Sequence, residues 1–191
     1  MSYPYSRHTQ RYEYPVFKGY VTNKSVLDVG CGITIEPLIL SAEARKVYAV
    51  DFNHIPDSTY IIVPDSAHMN RITKMVGDIY DVTISCDVAV AIEVFEHMKS
   101  PKKFIAHLAL LCKELFITTP LAQRTGKTRN PEHVREYSNR SFRGYVEEKF
   151  EIIDQKFQHG DLRITDEAEP NGDSFDVAHV VQMLWCRRRN D

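Results

Sequence analysis

Short apolar runs alternate along this chain with stretches that are long enough to form helices. Runs of this kind are typical of strands buried on both faces of a parallel sheet, and the stretches between them suit connecting helices. The alternation therefore predicts an α/β fold. The predicted parallel strands are Ser25 to Val29, Lys46 to Val50, Thr73 to Val76, Asp87 to Ile92 and Glu114 to Thr118.

The C-terminal part of the chain has a different pattern. Two strand-like runs, FEIIDQKF and DVAHVVQMLWCRR, are separated by a polar, turn-rich stretch without helical periodicity. Two such runs predict an antiparallel hairpin that closes one edge of the sheet.

Two helices can be placed from their start signals. Ser100 and Pro101 occupy the cap and first helical position of a helix whose apolar face contains Phe104, Ile105, Leu108 and Leu111. A second helix is predicted after Ser138, ending at about Lys149, with the apolar stripe Phe142, Tyr145, Val146 and Phe150.

Length and composition indicate one domain over residues 1–191 and set limits on its partners. The 191 residues are 43% hydrophobic, enough for one substantial core, and the net charge of -2 gives no general reason to expect DNA or an anionic membrane. No stretch reaches the roughly 20 apolar residues of a membrane helix, so we expect a cytoplasmic, soluble protein. The four cysteines lack Cys-x-x-Cys spacing and are expected to be reduced and structural.

The first predicted strand ends in a glycine turn, VLDVGCG, and the second ends in Asp51. Glycines in such a turn let the backbone approach a ligand, and a carboxylate about 20 residues further on is placed to bind ribose hydroxyls. The turn alone is a weak signal, but its spacing to Asp51 favours a nucleoside ligand over a packed turn. Because Ile35 stands where a dinucleotide-binding turn has its third glycine, S-adenosylmethionine (SAM) suits the turn better than a pyrophosphate.

Four motifs in sequence resemble those of the class I SAM-dependent methyltransferases: VLDVGCG, the Asp51 that closes the second strand, Gly77-Asp78 after the third, and CDVAVAIEVFEH at the fourth. The resemblance implies a Rossmann-like, doubly wound, mostly parallel seven-stranded sheet with an antiparallel C-terminal strand. Because this family often carries a cofactor-covering helix before the first strand, the resemblance also implies that role for residues 1–22. Aromatic side chains there, such as Tyr12 and Phe17, suit a sulfonium through cation–π attraction, although anchoring of the chain end to the sheet is an equally compatible role for them. The implied cofactor-binding residues are Asp28, Gly30, Cys31, Gly32, Asp51, Phe52, Asp78, Ile79 and Glu93.

A second set of polar residues follows the fourth predicted strand. In a helical turn that begins at Glu93, the side chains of Glu93, Glu96 and His97 would share one face. Two carboxylates and an imidazole in that arrangement can act as a base or hold a divalent cation. A structural role, with Glu96 at a helix N-terminus and His97 packed or capping, is the alternative.

The long polar loop TPLAQRTGKTRNPEHVREYS follows the fifth strand and is expected to form part of the acceptor site, although a solvated surface is equally compatible with its basic residues. Together with the Glu93 segment, it is similar to two branches of the family. One contains small-molecule methyltransferases, including the ubiquinone-biosynthesis O-methyltransferases. The other contains small-RNA 3′-terminal 2′-O-methyltransferases, and that resemblance implies a divalent metal bound by Glu93, Glu96, His97 and His133.

The sequence thus predicts a SAM-dependent methyltransferase that methylates an oxygen of a small-molecule acceptor. The candidate catalytic bases are Glu93, His97 and His133. Two alternatives stay open: a metal-assisted RNA 2′-O-methyltransferase, and a catalytically silent protein that keeps the fold for binding.

Overall fold

A computed structural model describes residues 19–32, 36–53, 69–122, 130–159, 164–166 and 180–189. The described residues form eight strands of one sheet, which lie in the order β3 (Ile72–Val76), β2 (Lys46–Asp51), β1 (Ser25–Val29), β4 (Cys86–Ala91), β5 (Cys112–Pro120), β8 (Val181–Arg188), β6 (Phe150–Gln158) and β7 (Ile164–Thr165). The chain divides into two compact units, Met1–Val88 and Ala89–Asp191, and strand β4 (Cys86–Ala91) spans the division. The prediction of a single domain over residues 1–191 stays a prediction, and most of its segment 1–22 lies outside the described residues.

The described part of the first unit includes three parallel strands and the helix that connects two of them. The strands are β1 (Ser25–Val29), β2 (Lys46–Asp51) and β3 (Ile72–Val76), and helix α1 (Glu36–Glu43) connects β1 to β2. The register pairs Val29 with Val50, and Asp51 with Val76, so the carboxyl ends of all three strands lie side by side.

The second unit contains the antiparallel part of the sheet. After helix α2 (Pro101–Leu111) come β5 (Cys112–Pro120), helix α3 (Asn139–Val146), β6 (Phe150–Gln158), β7 (Ile164–Thr165) and β8 (Val181–Arg188). Strand β8 lies between β5 and β6 and runs antiparallel to both. The predicted fold class and hairpin are confirmed, and the short β7, which pairs with β6, is the strand beyond the predicted seven.

The start signals of the two predicted helices had different outcomes. Pro101 opens α2 as predicted, but the Ser100 side chain makes no capping hydrogen bond, and its backbone (φ -125°, ψ 76°) lies outside the extended region that cap residues usually adopt. Ser138 does cap α3, accepting a hydrogen bond from the backbone N–H of Ser141. Helix α3 ends at Val146, so the predicted end near Lys149 is too late, and Phe150 begins β6. Among the described residues, no helix is long and apolar enough to cross a membrane.

Candidate active site

The glycine turn after β1 has the conformation that its sequence predicts. Gly30 and Gly32 have φ angles of 67° and 57°, in the left-handed region that side chains disfavour. The backbone N–H groups of Gly30 and Cys31 both donate to the carbonyl of Val50, at 2.8 and 3.2 Å. The turn is therefore fastened to the end of β2, next to the predicted ribose carboxylate.

Asp51 holds this turn with its side chain. Its Oδ2 accepts a hydrogen bond from the Gly32 N–H at 2.9 Å, and its Oδ1 accepts one from the Asn53 N–H at 2.8 Å. Each carboxylate oxygen has two lone pairs, so each keeps one for a further donor such as a ribose hydroxyl. The neighbouring Phe52 side chain is 65% exposed, a large apolar surface at the rim of the turn.

The other predicted cofactor residues of the first unit have local structural roles as well. Asp28 is buried in β1, and Cys31 packs with Ala49 in a small apolar cluster. Asp78 caps the 3-10 helix Ile79–Asp81 by accepting a hydrogen bond from the Tyr80 N–H. Asp28, Cys31 and Asp78 lie at or just after the carboxyl ends of β1 and β3, which is where α/β folds bind ligands.

Glu93 departs from the predicted helical turn. Its φ of 53° is left-handed, an unusual conformation for a residue with a side chain, and the helical turn that follows is a 3-10 helix spanning only Phe95–His97. The Glu93 backbone N–H donates to Oγ1 of Thr118 at 3.0 Å, and the Thr118 hydroxyl donates to Glu93 Oε1 at 3.1 Å. The prediction that a helical turn begins at Glu93 is therefore wrong, because these two hydrogen bonds hold its backbone and side chain against β5.

Glu96 is a buried carboxylic acid in the second unit. Its residue exposure is 0%, and its Oε2 accepts a hydrogen bond from the Thr119 hydroxyl at 3.0 Å. Its Oε1 has no hydrogen-bond partner among the described residues. Burial, and after it the negative charge of Glu93, raises the pKa of Glu96 well above its usual range.

His97 and His133 lie beside this carboxylate, as the predicted site requires. One nitrogen of each imidazole and a carboxylate oxygen of Glu96 lie within 4.8 Å of one another. The two rings meet edge to face with centroids 5.0 Å apart, and His133 Nε2 is 3.9 Å from Glu96 Oε1. We call Glu96, His97 and His133 the Glu-His cluster; Glu93, the fourth predicted metal ligand, is not one of its members.

Each imidazole of the cluster is oriented by an acceptor at its Nδ1. His97 Nδ1 is 3.1 Å from the carbonyl oxygen of Glu132, and His133 Nδ1 is 3.2 Å from Oε1 of Glu136. A carbonyl and an ionised carboxylate only accept hydrogen bonds, so a neutral ring that donates to either of them has its proton on Nδ1 and its lone pair on Nε2. The cluster thus brings together two imidazole lone pairs and the Glu96 oxygen.

The loop after β5 reaches the cluster through backbone hydrogen bonds. The N–H groups of Val134 and Arg135 both donate to the carbonyl of Glu96, and Leu121 forms a β-bridge with Tyr137. The loop is thereby joined to the 3-10 helix that carries Glu96. Three of the basic residues predicted to line the acceptor site, Arg124, Lys127 and Arg129, lie outside the described residues.

Sequence reasoning missed three side chains that hold the site: Thr118, Thr119 and Glu136. Thr118 and Thr119 are 0% exposed and follow one another at the end of β5, where the pair looks like an ordinary β-branched strand segment. Glu136 stands three residues after His133, a spacing that could have suggested a contact.

Comparison with known proteins supports the predicted family. A family model described as a methyltransferase domain matches residues 15–150. No curated relative matches the chain at the sequence level.

Several solved structures share the fold at low sequence identity. The 1,6-didemethyltoxoflavin-N1-methyltransferase of Burkholderia thailandensis, bound to 1,6-didemethyltoxoflavin and S-adenosylhomocysteine (SAH), has a TM-score of 0.73 and 13% identity over 97% of this chain and 80% of its own. A SAM-dependent methyltransferase of Aquifex aeolicus has a TM-score of 0.67 and 18% identity, covering 95% and 92%. Magnesium protoporphyrin IX methyltransferase of Synechocystis PCC 6803, with bound SAH, has a TM-score of 0.64 and 15% identity, covering 92% and 79%.

These findings agree with the glycine turn and with the sheet order. Two of the neighbours hold SAH, the product form of the predicted cofactor. The match to the family model covers well over half of the chain, so the protein belongs to the methyltransferase domain family and has its Rossmann-like α/β fold.

Proposed function

We propose that this protein transfers the methyl group of SAM to a hydroxyl oxygen of a small-molecule acceptor, and that the Glu-His cluster receives the hydroxyl proton. The observation that carries the proposal is the pair of contacts that the two ring nitrogens of His133 make. Its Nδ1 is engaged by Glu136, and its Nε2 has a lone pair beside the buried Glu96. An imidazole held in this way presents the lone pair that a general base needs.

The first unit supports the cofactor part of the proposal. The left-handed glycines give the turn a backbone that a ligand can approach, and Asp51 retains lone pairs for two hydroxyl donors. The exposed ring of Phe52 offers an apolar face beside them. Ribose and adenine need these features, and none of them requires a phosphate.

The proposed chemistry is an in-line displacement. The acceptor hydroxyl loses its proton to His133 Nε2, the oxygen attacks the methyl carbon, and the carbon–sulfur bond breaks. The sulfonium becomes the neutral thioether of SAH. The cofactor supplies the activated methyl group, and the protein contributes chiefly by holding the two reactants together.

Among the predicted bases, the local contacts favour His133. The Glu93 carboxylate already accepts a hydrogen bond from Thr118. The Nδ1 of His97 is engaged by a backbone carbonyl, whereas the Nδ1 of His133 is engaged by a carboxylate and its Nε2 lies 3.9 Å from Glu96 Oε1. The neighbours from Burkholderia and Synechocystis are named for small-molecule substrates, which supports an acceptor of similar class.

The test begins with calorimetric titration of SAM and SAH into EDTA-treated protein, followed by measurement of SAH formation with a panel of phenols, alcohols, carboxylic acids and amines. We expect turnover with hydroxyl acceptors. His133→Ala should lower kcat by about 100- to 10,000-fold while the SAM affinity is unchanged. His107→Ala, on helix α2 outside the cluster, is the matched control. Turnover only with carboxylic acids or amines, insensitive to His133→Ala, would refute the proposal.

A second route to the same product is metal-assisted, and the composition of the Glu-His cluster favours it. Two imidazoles and one carboxylate are ligands that Zn²⁺ and related divalent transition metals prefer, and three protein ligands leave a position for an acceptor oxygen. The unpartnered Oε1 of Glu96 is the available carboxylate atom. A bound metal would make the acceptor hydroxyl more acidic, and in that route His97 and His133 would be ligands.

Titration with Co²⁺ distinguishes the two routes, because its visible absorption reports imidazole coordination. Stoichiometric binding that is lost in His133→Ala and in Glu96→Gln, but retained in His107→Ala, would establish the metal-assisted route. Absence of binding, together with activity in EDTA, would leave His133 as the base.

The same measurements address the two remaining alternatives. RNA oligonucleotides that end in a ribose or in a 2′-deoxyribose can be added to the acceptor panel, and methylation of the ribose form alone would identify an RNA 2′-O-methyltransferase. Failure to bind SAM or SAH would instead favour a silent protein of methyltransferase fold.

A further inference from the structure

The surroundings of His133 identify one more residue of functional interest, Glu136. The Glu136 side chain is 3% exposed, and the His133 side chain beside it is 11% exposed. Their contact, 3.2 Å from Nδ1 to Oε1, lies within the range of a hydrogen bond. On the other side of the ring, the 3.9 Å between Nε2 and Glu96 Oε1 is too long for one.

We propose that Glu136 is a positioning residue: it fixes the tautomer and the ring orientation of His133, so that the Nε2 lone pair faces Glu96. The inference rests on the proposed function, because both a proton acceptor and a metal ligand need that lone pair. Without an acceptor at Nδ1, either nitrogen could carry the proton, and a large share of His133 would present an N–H to the site.

The two imidazoles of the cluster differ in how their tautomers are held. The acceptor for His97 is the backbone carbonyl of Glu132, which any residue at that position supplies. The acceptor for His133 is the side chain of Glu136, so only this tautomer depends on the identity of a residue. Substitution of Glu136 therefore changes one imidazole and leaves the orientation of the other intact.

Glu136→Gln is the informative variant because it keeps the shape of the side chain and removes its preference for one tautomer of His133. An amide oxygen can accept from Nδ1–H, and an amide nitrogen can donate to a bare Nδ1, so glutamine supports both tautomers. Removal of a residue that orients a catalytic or metal-binding histidine lowers activity or metal affinity by about 10- to 100-fold. Glu136→Asp retains a carboxylate and should recover part of that loss.

The experiment is a long-range ¹H–¹⁵N correlation spectrum of the histidine side chains in EDTA-treated protein at neutral pH. His133 is assigned by the signal that disappears in His133→Ala. In the wild-type protein we expect a pyridine-type resonance for Nε2 and a pyrrole-type resonance for Nδ1, and in Glu136→Gln a mixture of both tautomers. Glu132→Gln, which alters an exposed carboxylate next to His133 in sequence, should give the wild-type spectrum.

Two results would overturn the inference. One is a wild-type His133 whose neutral ring carries its proton on Nε2. The other is a Glu136→Gln variant that keeps the single wild-type tautomer. The spectrum needs neither SAM nor an acceptor, so failure of the proposed function would be seen separately, in the SAM titration and the acceptor panel.

Discussion

Replacement of Asp51 by alanine tests the link between the glycine turn and cofactor binding. The substitution removes the acceptors of the Gly32 and Asn53 N–H groups, and with them both oxygens that are available to a ribose. A hydrogen bond to a charged group contributes about 1.5–3 kcal/mol. Since 1.4 kcal/mol is a tenfold change, we expect Asp51→Ala to weaken SAM binding by about 10- to 150-fold in calorimetric titration.

Loss of stability alone could also weaken binding, and Asp87→Ala controls for it. Oδ2 of Asp87 accepts hydrogen bonds from both the N–H and the hydroxyl of Ser25, at 3.0 and 2.8 Å. Like Asp51, Asp87 lies in the first unit, and its carboxylate accepts a hydrogen bond from a backbone N–H group. It does so at the amino ends of β1 and β4, away from the glycine turn. The two variants should lose similar stability, by about 1–3 kcal/mol each, and only Asp51→Ala should lose affinity for SAM.

The two outcomes that would refute this reasoning are distinct. Equal affinity in wild-type protein and Asp51→Ala would remove Asp51 from the ribose site. An equal loss of affinity in both variants would show that binding follows the stability of the first unit, with no specific contribution from the carboxylate at the turn.

Two further predictions concern the second unit and the cysteines. Phe95→Ala should lower the free energy of unfolding in urea by about 3–5 kcal/mol, since its ring is fully buried among aromatic side chains, whereas Leu110→Ala, at a 75% exposed position, should change it by less than about 0.5 kcal/mol. A small loss in Phe95→Ala would contradict the packing around the 3-10 helix. All four cysteines are buried and form no disulfide, and burial raises the pKa of the Cys86 thiol to about 12, so a thiol reagent at pH 8 should label none in the native protein and four after denaturation. Rapid labelling of the native protein would show that a cysteine is accessible.

The strands could be predicted closely because burial on both faces of a sheet leaves continuous apolar runs in the sequence. Four of the five predicted parallel strands occur within one residue of their predicted bounds, and β5 extends two residues further at each end. The glycine turn could also be predicted, because a left-handed backbone favours glycine and the sequence has glycine at both left-handed positions of the turn.

The arrangement of the Glu-His cluster could be predicted less well from the sequence. Helical periodicity from Glu93 was a reasonable local expectation, but hydrogen bonds to Thr118, 25 residues away in sequence, hold Glu93 in a left-handed conformation. The role of Glu136 depends on the side-chain geometry of a loop, which no periodic pattern encodes. The identity of the acceptor depends on loops that vary independently of the fold.

The β-bridge between Leu121 and Tyr137 makes the loop after β5 a natural place for engineering new acceptor specificity. The bridge fixes both ends of the segment, and the Ala122 N–H adds a hydrogen bond to the Tyr137 carbonyl. With its ends fixed, a loop that is doubled in length costs only about 0.6 kcal/mol of additional closure entropy. Libraries that vary the length and sequence between Ala122 and Asn130 therefore test whether this segment selects the acceptor, provided that the residues from Asn130 to Tyr137, whose contacts support the Glu-His cluster, are retained.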